Sequence, residues 1–245
     1  MIIPTYNEVK NLPELFGRVF QLSRSIDVLI VDDASPDGTA NIVKQHEEFG
    51  RPLFLMERPG KLGLATAYKQ GFEWALQRGY DACMEMDADL SHDPADIPRL
   101  LEALDNGADV AIGSRYLNGI RVLNWPQSRL QLSLFAGLYT RTLTGLPLSD
   151  PTSGFKAIRR DVLEAFDWSR FIASGYGFQI EIHFYAWQNG FRLREIPIIF
   201  TERHEGRSKM SWRISAEAAM RVLRLVPARL FSSGSAHASK STPQG

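Results

Sequence analysis

The feature that most constrains this chain is a recurrence. Short apolar runs stop at polar clusters, and amphipathic stretches separate one run from the next. Residues 1–4 lead into Thr5, Tyr6 and Glu8, residues 27–31 into Asp32-Asp33, and residues 53–57 into the small-residue segment 60–67. Residues 82–86 lead into Asp87-Ala88-Asp89, and residues 109–113 into Ser114-Arg115. Between the runs, Leu12, Leu15, Phe16, Val19 and Phe20 recur at helical spacing, and further helices are expected over 39–46, 64–78 and 96–104. Gly79 stands where a helix stop belongs. Strand–helix–strand alternation at this spacing predicts an α/β fold, a mostly parallel sheet with helices on both faces. Ligands of such sheets bind beyond the carboxyl ends of the strands, so the polar clusters are expected along one edge.

Beyond Arg115 the pattern changes. Helices are expected over 129–143, 178–189 and 211–226, a loop over 147–155, and a strand over 192–200 interrupted by Pro197. The tail 231–245 is poor in apolar residues and is expected to be disordered. Charge then excludes one class of function. Twenty-eight basic residues balance 28 acidic ones, so a general nucleic-acid binder is not expected. The lone cysteine, Cys83, rules out an internal disulfide and is expected to be buried and inert. No stretch reaches the roughly 20 apolar residues of a membrane span, and no signal peptide opens the chain, so a cytoplasmic, soluble or peripheral protein is expected.

Asp87-Ala88-Asp89 is the strongest local signal. Residues i and i+2 of an extended backbone point the same way, and two close carboxylates repel unless a cation lies between them. An oxygen-loving ion, Mg²⁺ or Mn²⁺, shared with a substrate diphosphate fits this pattern; a solvated acidic loop is the plainer alternative. Of Asp32 and Asp33, one is expected to face a ligand and the other to cap the turn. We assign Asp32 to a base or ribose hydroxyl, with a simple turn pair as the alternative. Tyr6 can stack on a base and Glu8 can accept from it, unless the segment merely leads into a helix. The segment GKLGLATA at 60–67 lacks the phosphate-loop spacing and reads as a tight strand-to-helix turn. Arg115, Arg203 and Lys209 are candidate partners of a diphosphate, and His92 and His204 candidate proton carriers; each taken singly also reads as an ordinary loop residue.

Taken in order, PTYNE (4–8), IVDDASPDGTA (30–40), GLATAYKQGF (63–72), MDADLSHDP (86–94), GSRY (113–116), DPTSGFKA (150–157) and GRSKMS (206–211) form a specific combination. The chain resembles the family 2 glycosyltransferases of GT-A fold, and among them the polyprenyl-phosphate (dolichyl-phosphate) mannose synthases. The resemblance implies one catalytic domain over 1–230, with a nucleotide-binding half (1–115) and an acceptor- and membrane-facing half (116–230). It also implies inverting transfer from GDP-mannose to a polyprenyl phosphate, assisted by Mg²⁺ or Mn²⁺. Pro4, Tyr6, Glu8, Ile30 and Asp32 match the positions that hold the nucleoside. Asp87, Ala88 and Asp89 match the segment for ribose, metal and diphosphate, with Asp87 and Asp89 on the ion. Arg115, Arg203 and Lys209 match basic residues that meet the sugar nucleotide and acceptor phosphate, and Arg129 a further phosphate-facing arginine. One position departs: related synthases often carry Gln two residues after the second Asp, where this chain has Ser91. UDP-glucose or UDP-N-acetylglucosamine as donor, a nucleotidyltransferase, and a non-catalytic nucleotide-sugar binder are the rival readings.

A phosphate acceptor is already anionic at neutral pH, so no strong general base is expected. Alignment and electrostatics would carry catalysis, with Asp89, Asp87 and Arg115 at its centre. Arg207, Lys209, Arg213, Arg221, Arg224 and Arg229 stand against Glu217 in and around the expected helix 211–226. A basic amphipathic helix reads as a membrane-surface element, with packing against the domain as the alternative. The expected setting is therefore the cytoplasmic membrane face, reached peripherally or through a separate anchor subunit.

Overall fold

A computed structural model describes residues 1–172, 175–202 and 219–226. Seven strands form the main sheet: β1 (Ile2–Thr5), β2 (Val28–Asp32), β3 (Leu53–Glu57), β4 (Ala82–Glu85), β5 (Val110–Ser114), β7 (Lys156–Arg159) and β8 (Leu193–Pro197). Their order is β3-β2-β1-β4-β7-β5-β8, and only β7 runs against the rest. The mostly parallel α/β fold expected from the alternation is what the chain adopts. The reversed strand β7 lies within 147–177, a stretch from which no strand was expected. It is four residues long and opens on Lys156, so it carries no apolar run to announce it.

Side-chain alternation in the strands builds two cores. Ile2, Leu29, Val31, Cys83, Val110, Ile112 and Ile158 point to one face, where α3 (Leu64–Gln77), α6 (Arg160–Glu164), α7 (Tyr176–Gln188) and the helical residues 219–226 cover them. Ile3, Val28, Ile30, Met84, Ala111 and Ala157 point to the other, under α1 (Leu12–Val19), α2 (Thr39–Gln45) and α4 (Ile97–Asp105). This is why β2 is buried along its whole length, as a strand with both faces covered must be. Cys83 is buried, and burial pushes its thiol pKa up to about 11. Gly79, at φ 77°, follows the end of α3.

Topology places the site. From β1 the chain steps to β2 and β3 on one side, then crosses to β4 on the other. The ends of β1 and β4 therefore flank the point where strand order reverses, which is where a ligand crevice opens in such sheets. The expected strand 192–200 divides at Pro197. Its second part, β9 (Phe200–Thr201), pairs with β6 (Val122–Leu123) in a small sheet over this edge. Pro197 closes the edge strand β8, where its missing N–H is tolerated. Helix α5 (Gln127–Thr144) follows β6.

Candidate active site

The loops after β1 and β2 are laced together. Backbone N–H groups of Asn7, Glu8 and Val9 donate to Ser35 Oγ (3.0 Å), Thr39 Oγ1 (3.0 Å) and Asp37 Oδ2 (3.1 Å). Burial alone would raise the Asp37 carboxyl, but the bonds from Thr39 and Val9 outweigh it and hold it below its ordinary value. On this framework the Lys61 ammonium lies 4.2 Å from the centre of the Tyr6 ring, and Glu8 accepts from Asn11 (2.7 Å). Pro4 and Ile30 belong to β1 and β2. Ile30 is fully buried in the core, so its side chain supports the sheet.

Asp32 and Asp33 have separate partners. Asp32 is the residue that caps the turn, accepting from the Ser35 N–H (2.9 Å), the Ser35 hydroxyl (2.6 Å) and the Thr5 hydroxyl (2.8 Å). Asp33 instead forms a buried ion pair with Arg58. Arg58 also binds Thr66 Oγ1 (2.8 Å) and the Gly63 carbonyl (3.0 Å), which fixes the start of α3. Successive residues at the end of a strand point to opposite faces, which separates the two carboxylates, and Ala34 follows them in the left-handed region at φ 54°.

Asp87 and Asp89 border one cavity of about 460 Å³, while Ala88 between them turns into the core. The Ser91 N–H donates to Asp89 Oδ1 (3.1 Å). Ser91 itself is buried, and its carbonyl accepts from Thr201 of the small sheet (3.1 Å). His92 is buried between Phe155 and Phe200, with ring centres 5.0 Å from each. Burial pushes its pKa down to about 4, so the imidazole that borders the cavity is neutral at pH 7. Among the described residues no group of three or more His, Cys, Asp or Glu side chains could hold a metal. Two carboxylates alone suit a hard ion only if substrate oxygens complete its shell.

Arg115 lies at the end of β5 and borders the same cavity. Its Nε and Nη2 donate to the two oxygens of Asp150, each at 2.6 Å, and Nη2 also reaches Thr152 Oγ1 (2.8 Å). Burial alone would raise the Asp150 carboxyl; the Arg115 guanidinium outweighs it and holds the group below the usual carboxylate range. Glu195 of β8 accepts from the Ser149 and Asp150 N–H groups (2.7 and 2.9 Å), so the antiparallel insertion and the edge strand together aim Arg115. Arg129 of α5 pairs with Glu202, lies 4.1 Å from the Trp125 ring centre, and also borders the cavity. Arg203, His204 and Lys209 lie outside the described residues, as do 211–218 of the expected C-terminal helix and the tail.

Beyond these polar groups the cavity wall becomes apolar: Leu132, Phe135, Ala136, Tyr139, Ile180 and Val222. Sequence reasoning passed over Asp150, Glu85, Lys156 and Gln179. Glu85 and Lys156 are register partners on β4 and β7, both fully buried, and Lys156 also donates to Gln179 on α7. Desolvation pushes the Glu85 carboxyl up and the Lys156 ammonium down. The DPTSGFKA run holds two of these residues, but only the fold brings them to Arg115 and Glu85.

Residues 1–166 match the family described as Glycosyl transferase family 2. This chain belongs to that family. Polyprenol monophosphomannose synthase of Mycolicibacterium smegmatis is 48% identical over 224 residues, covering 91% of this chain and 84% of that protein. Undecaprenyl-phosphate mannosyltransferase of Micrococcus luteus is 46% identical over 223 residues, 91% of each chain. Dolichol-phosphate mannosyltransferase of Pyrococcus furiosus is 36% identical over 233 residues, covering 92% of this chain and 63% of that one. Glucosyl-3-phosphoglycerate synthase from Mycobacterium tuberculosis, solved with Mn²⁺, uridine diphosphate and glucosyl-3-phosphoglycerate, aligns at TM-score 0.64 with 14% identity, over 93% of this chain and 78% of that one. It shares the fold. As a family 2 glycosyltransferase, the chain is an enzyme of sugar transfer.

Proposed function

We propose that this glycosyltransferase moves mannose from GDP-mannose to a polyprenyl phosphate, with inversion at the anomeric carbon. The observation that carries the reading is the mixed lining of the cavity. Its lining combines the carboxylates Asp87 and Asp89 and the arginines Arg115 and Arg129 with apolar side chains of α5, α7 and residues 219–226. A phosphate on a long hydrocarbon has this combination of charge and grease. The names of the 48% and 46% identical relatives support the acceptor class and the sugar.

In this reading the loops after β1 and β2 hold the nucleoside through Tyr6, Glu8 and Asp32, and the diphosphate lies towards Asp87 and Asp89. Those two carboxylates would hold a Mg²⁺ or Mn²⁺ ion together with diphosphate oxygens. When bound, the ion supplies Lewis-acid neutralisation of the departing GDP. Arg115, aimed by Asp150, and Arg129 meet phosphate oxygens of the acceptor, a task shared with Arg203 and, on the donor side, Lys209. A phosphate monoester has a second pKa of about 6, so its attacking oxygen is anionic at pH 7 and needs no base. A neutral His92 leaves the electrostatics of that anion undisturbed.

No helix among the described residues is long and apolar enough to cross a membrane. Leu134, Phe135 and Leu138 of α5 and Met220 and Leu223 are exposed apolar residues, with Arg221 and Arg224 beside the latter pair. We assign this face to the cytoplasmic membrane surface, directly or beside an anchor subunit. A donor panel tests the reaction. GDP-mannose is expected to give labelled lipid with Mg²⁺ or Mn²⁺, and UDP-glucose and UDP-N-acetylglucosamine to give background. Transfer from a UDP-sugar in preference to GDP-mannose refutes the donor.

A further inference from the structure

Gln179, in the second turn of α7, is 2% exposed and lines the cavity with Asp87, Asp89, Thr152 and Gly154. Its Oε1 accepts from the Lys156 ammonium, which is itself held by Glu85. An ammonium only donates, so this contact decides which way the amide is turned. The carbonyl oxygen takes the Lys156 contact, and the NH₂ is the other branch of an amide that also lies close enough to Glu85 to help lower its carboxyl pKa. That nitrogen has no hydrogen-bond partner among the described residues. An unmade bond on a buried amide is costly, and native proteins rarely leave one without a use. Gly154 borders the same spot: a Cβ built there would lie 3.6 Å from Gln179 Nε2. Gly154 thus lies in van der Waals reach of the amide nitrogen.

We propose that the Gln179 amide NH₂ donates a hydrogen bond to a substrate oxygen at the reacting centre, and that Glu85 and Lys156 are positioning residues that hold the amide in that sense. This rests on the transfer reaction proposed above. The acceptor has the chemistry of an sp³ or anionic oxygen, which either an acceptor phosphate oxygen or a hydroxyl of the transferred sugar provides. A neutral donor serves both. A carboxylate at this position would repel the phosphate but could still accept from a hydroxyl, and that difference separates the two sources.

The test compares Gln179→Glu and Gln179→Met with the unaltered chain. Both variants remove the donor, and Gln179→Glu keeps the contact with Lys156. The readouts are steady-state transfer from GDP-mannose to a polyprenyl phosphate, calorimetric affinity for GDP and for GDP-mannose with Mn²⁺, and the melting temperature. We expect both variants to lose on the order of tenfold or more in kcat/KM while GDP affinity stays within about twofold. If the phosphate is the partner, the loss appears in the acceptor KM and is greater in Gln179→Glu. If the sugar hydroxyl is the partner, the loss appears in GDP-mannose affinity relative to GDP and is smaller in Gln179→Glu. Turnover equal to the unaltered chain in both variants overturns the proposal, as does a loss that tracks GDP affinity and melting temperature together. Absence of mannose transfer by the unaltered chain would instead refute the proposed function, and the GDP-mannose to GDP affinity ratio would still report on Gln179.

Discussion

Arg115 and Asp150, 35 residues apart in sequence, form a bidentate ion pair with two 2.6 Å contacts at the edge of the cavity. Asp150 is wholly buried, and its own backbone is held by Glu195. The planar guanidinium is thereby fixed on two of its edges. A phosphate arriving in the cavity meets an arginine whose orientation is already determined, so little ordering entropy is lost on contact.

Removing Asp150 is expected to affect both stability and turnover. Asp150→Ala leaves a buried guanidinium unpaired and should cost about 3–5 kcal/mol in urea unfolding. Asp150→Asn keeps the shape and should stay folded with kcat/KM about tenfold or more lower, because Arg115 loses its anchor. The folded-state pKa of Asp150 is depressed, so the pair stabilises fully above the unfolded carboxyl value of about 3.9 and weakens as pH falls through the lower folded value. The stability gap between the unaltered chain and Asp150→Asn should therefore be constant from neutral pH down to about 5 and close in stronger acid.

Asp89→Ala should abolish transfer, by about 10²–10³-fold or more, while circular dichroism and melting stay near those of the unaltered chain. Asp89 borders the cavity and accepts from the Ser91 N–H two residues further on. Near-normal turnover in this variant refutes its role at the diphosphate.

Gly113 immediately precedes Ser114 and Arg115, and a Cβ there would come within 2.9 Å of Phe155 and 3.1 Å of Ile198. Gly113→Ala should destabilise by about 1–3 kcal/mol through overpacking. Because the displaced strand carries Arg115, activity should fall further than stability alone accounts for. Chemical denaturation and initial rates on the same preparation separate the two effects.

Phe135 and Leu138 are 65% and 55% exposed on α5. Charging both, as Phe135→Asp with Leu138→Asp, should reduce co-sedimentation with anionic vesicles about tenfold or more, given the apolar area withdrawn from lipid. GDP affinity should not change, since neither residue lies near the nucleoside loops. Unchanged vesicle binding would remove this face from the membrane assignment.

Strands such as β2 and β5 are readable because, buried along their whole length, they are apolar runs that end where the edge becomes polar. Strands β6 and β7 have two and four residues and no such run, so nothing local announces them, and β9 is legible only as the end of the expected strand 192–200. The same limit applied to the site. Asp87, Asp89 and Arg115 stood out as polar residues directly after strands. Asp150, Lys156 and Gln179 act through partners 35, 71 and 23 residues distant, which no local spacing reveals. The partners of Asp33 are as hidden: Arg58 lies 25 residues further along the chain.

The central claim is that one cavity joins a phosphate site to a hydrocarbon site. Its most direct test is transfer of radiolabelled mannose from GDP-mannose, with divalent ion present, to polyprenyl phosphate and to glycerol 3-phosphate at equal concentration. Label is expected in the butanol-extractable product from polyprenyl phosphate, with background for the water-soluble phosphate. Equal transfer to both, or transfer to the soluble acceptor alone, would contradict it.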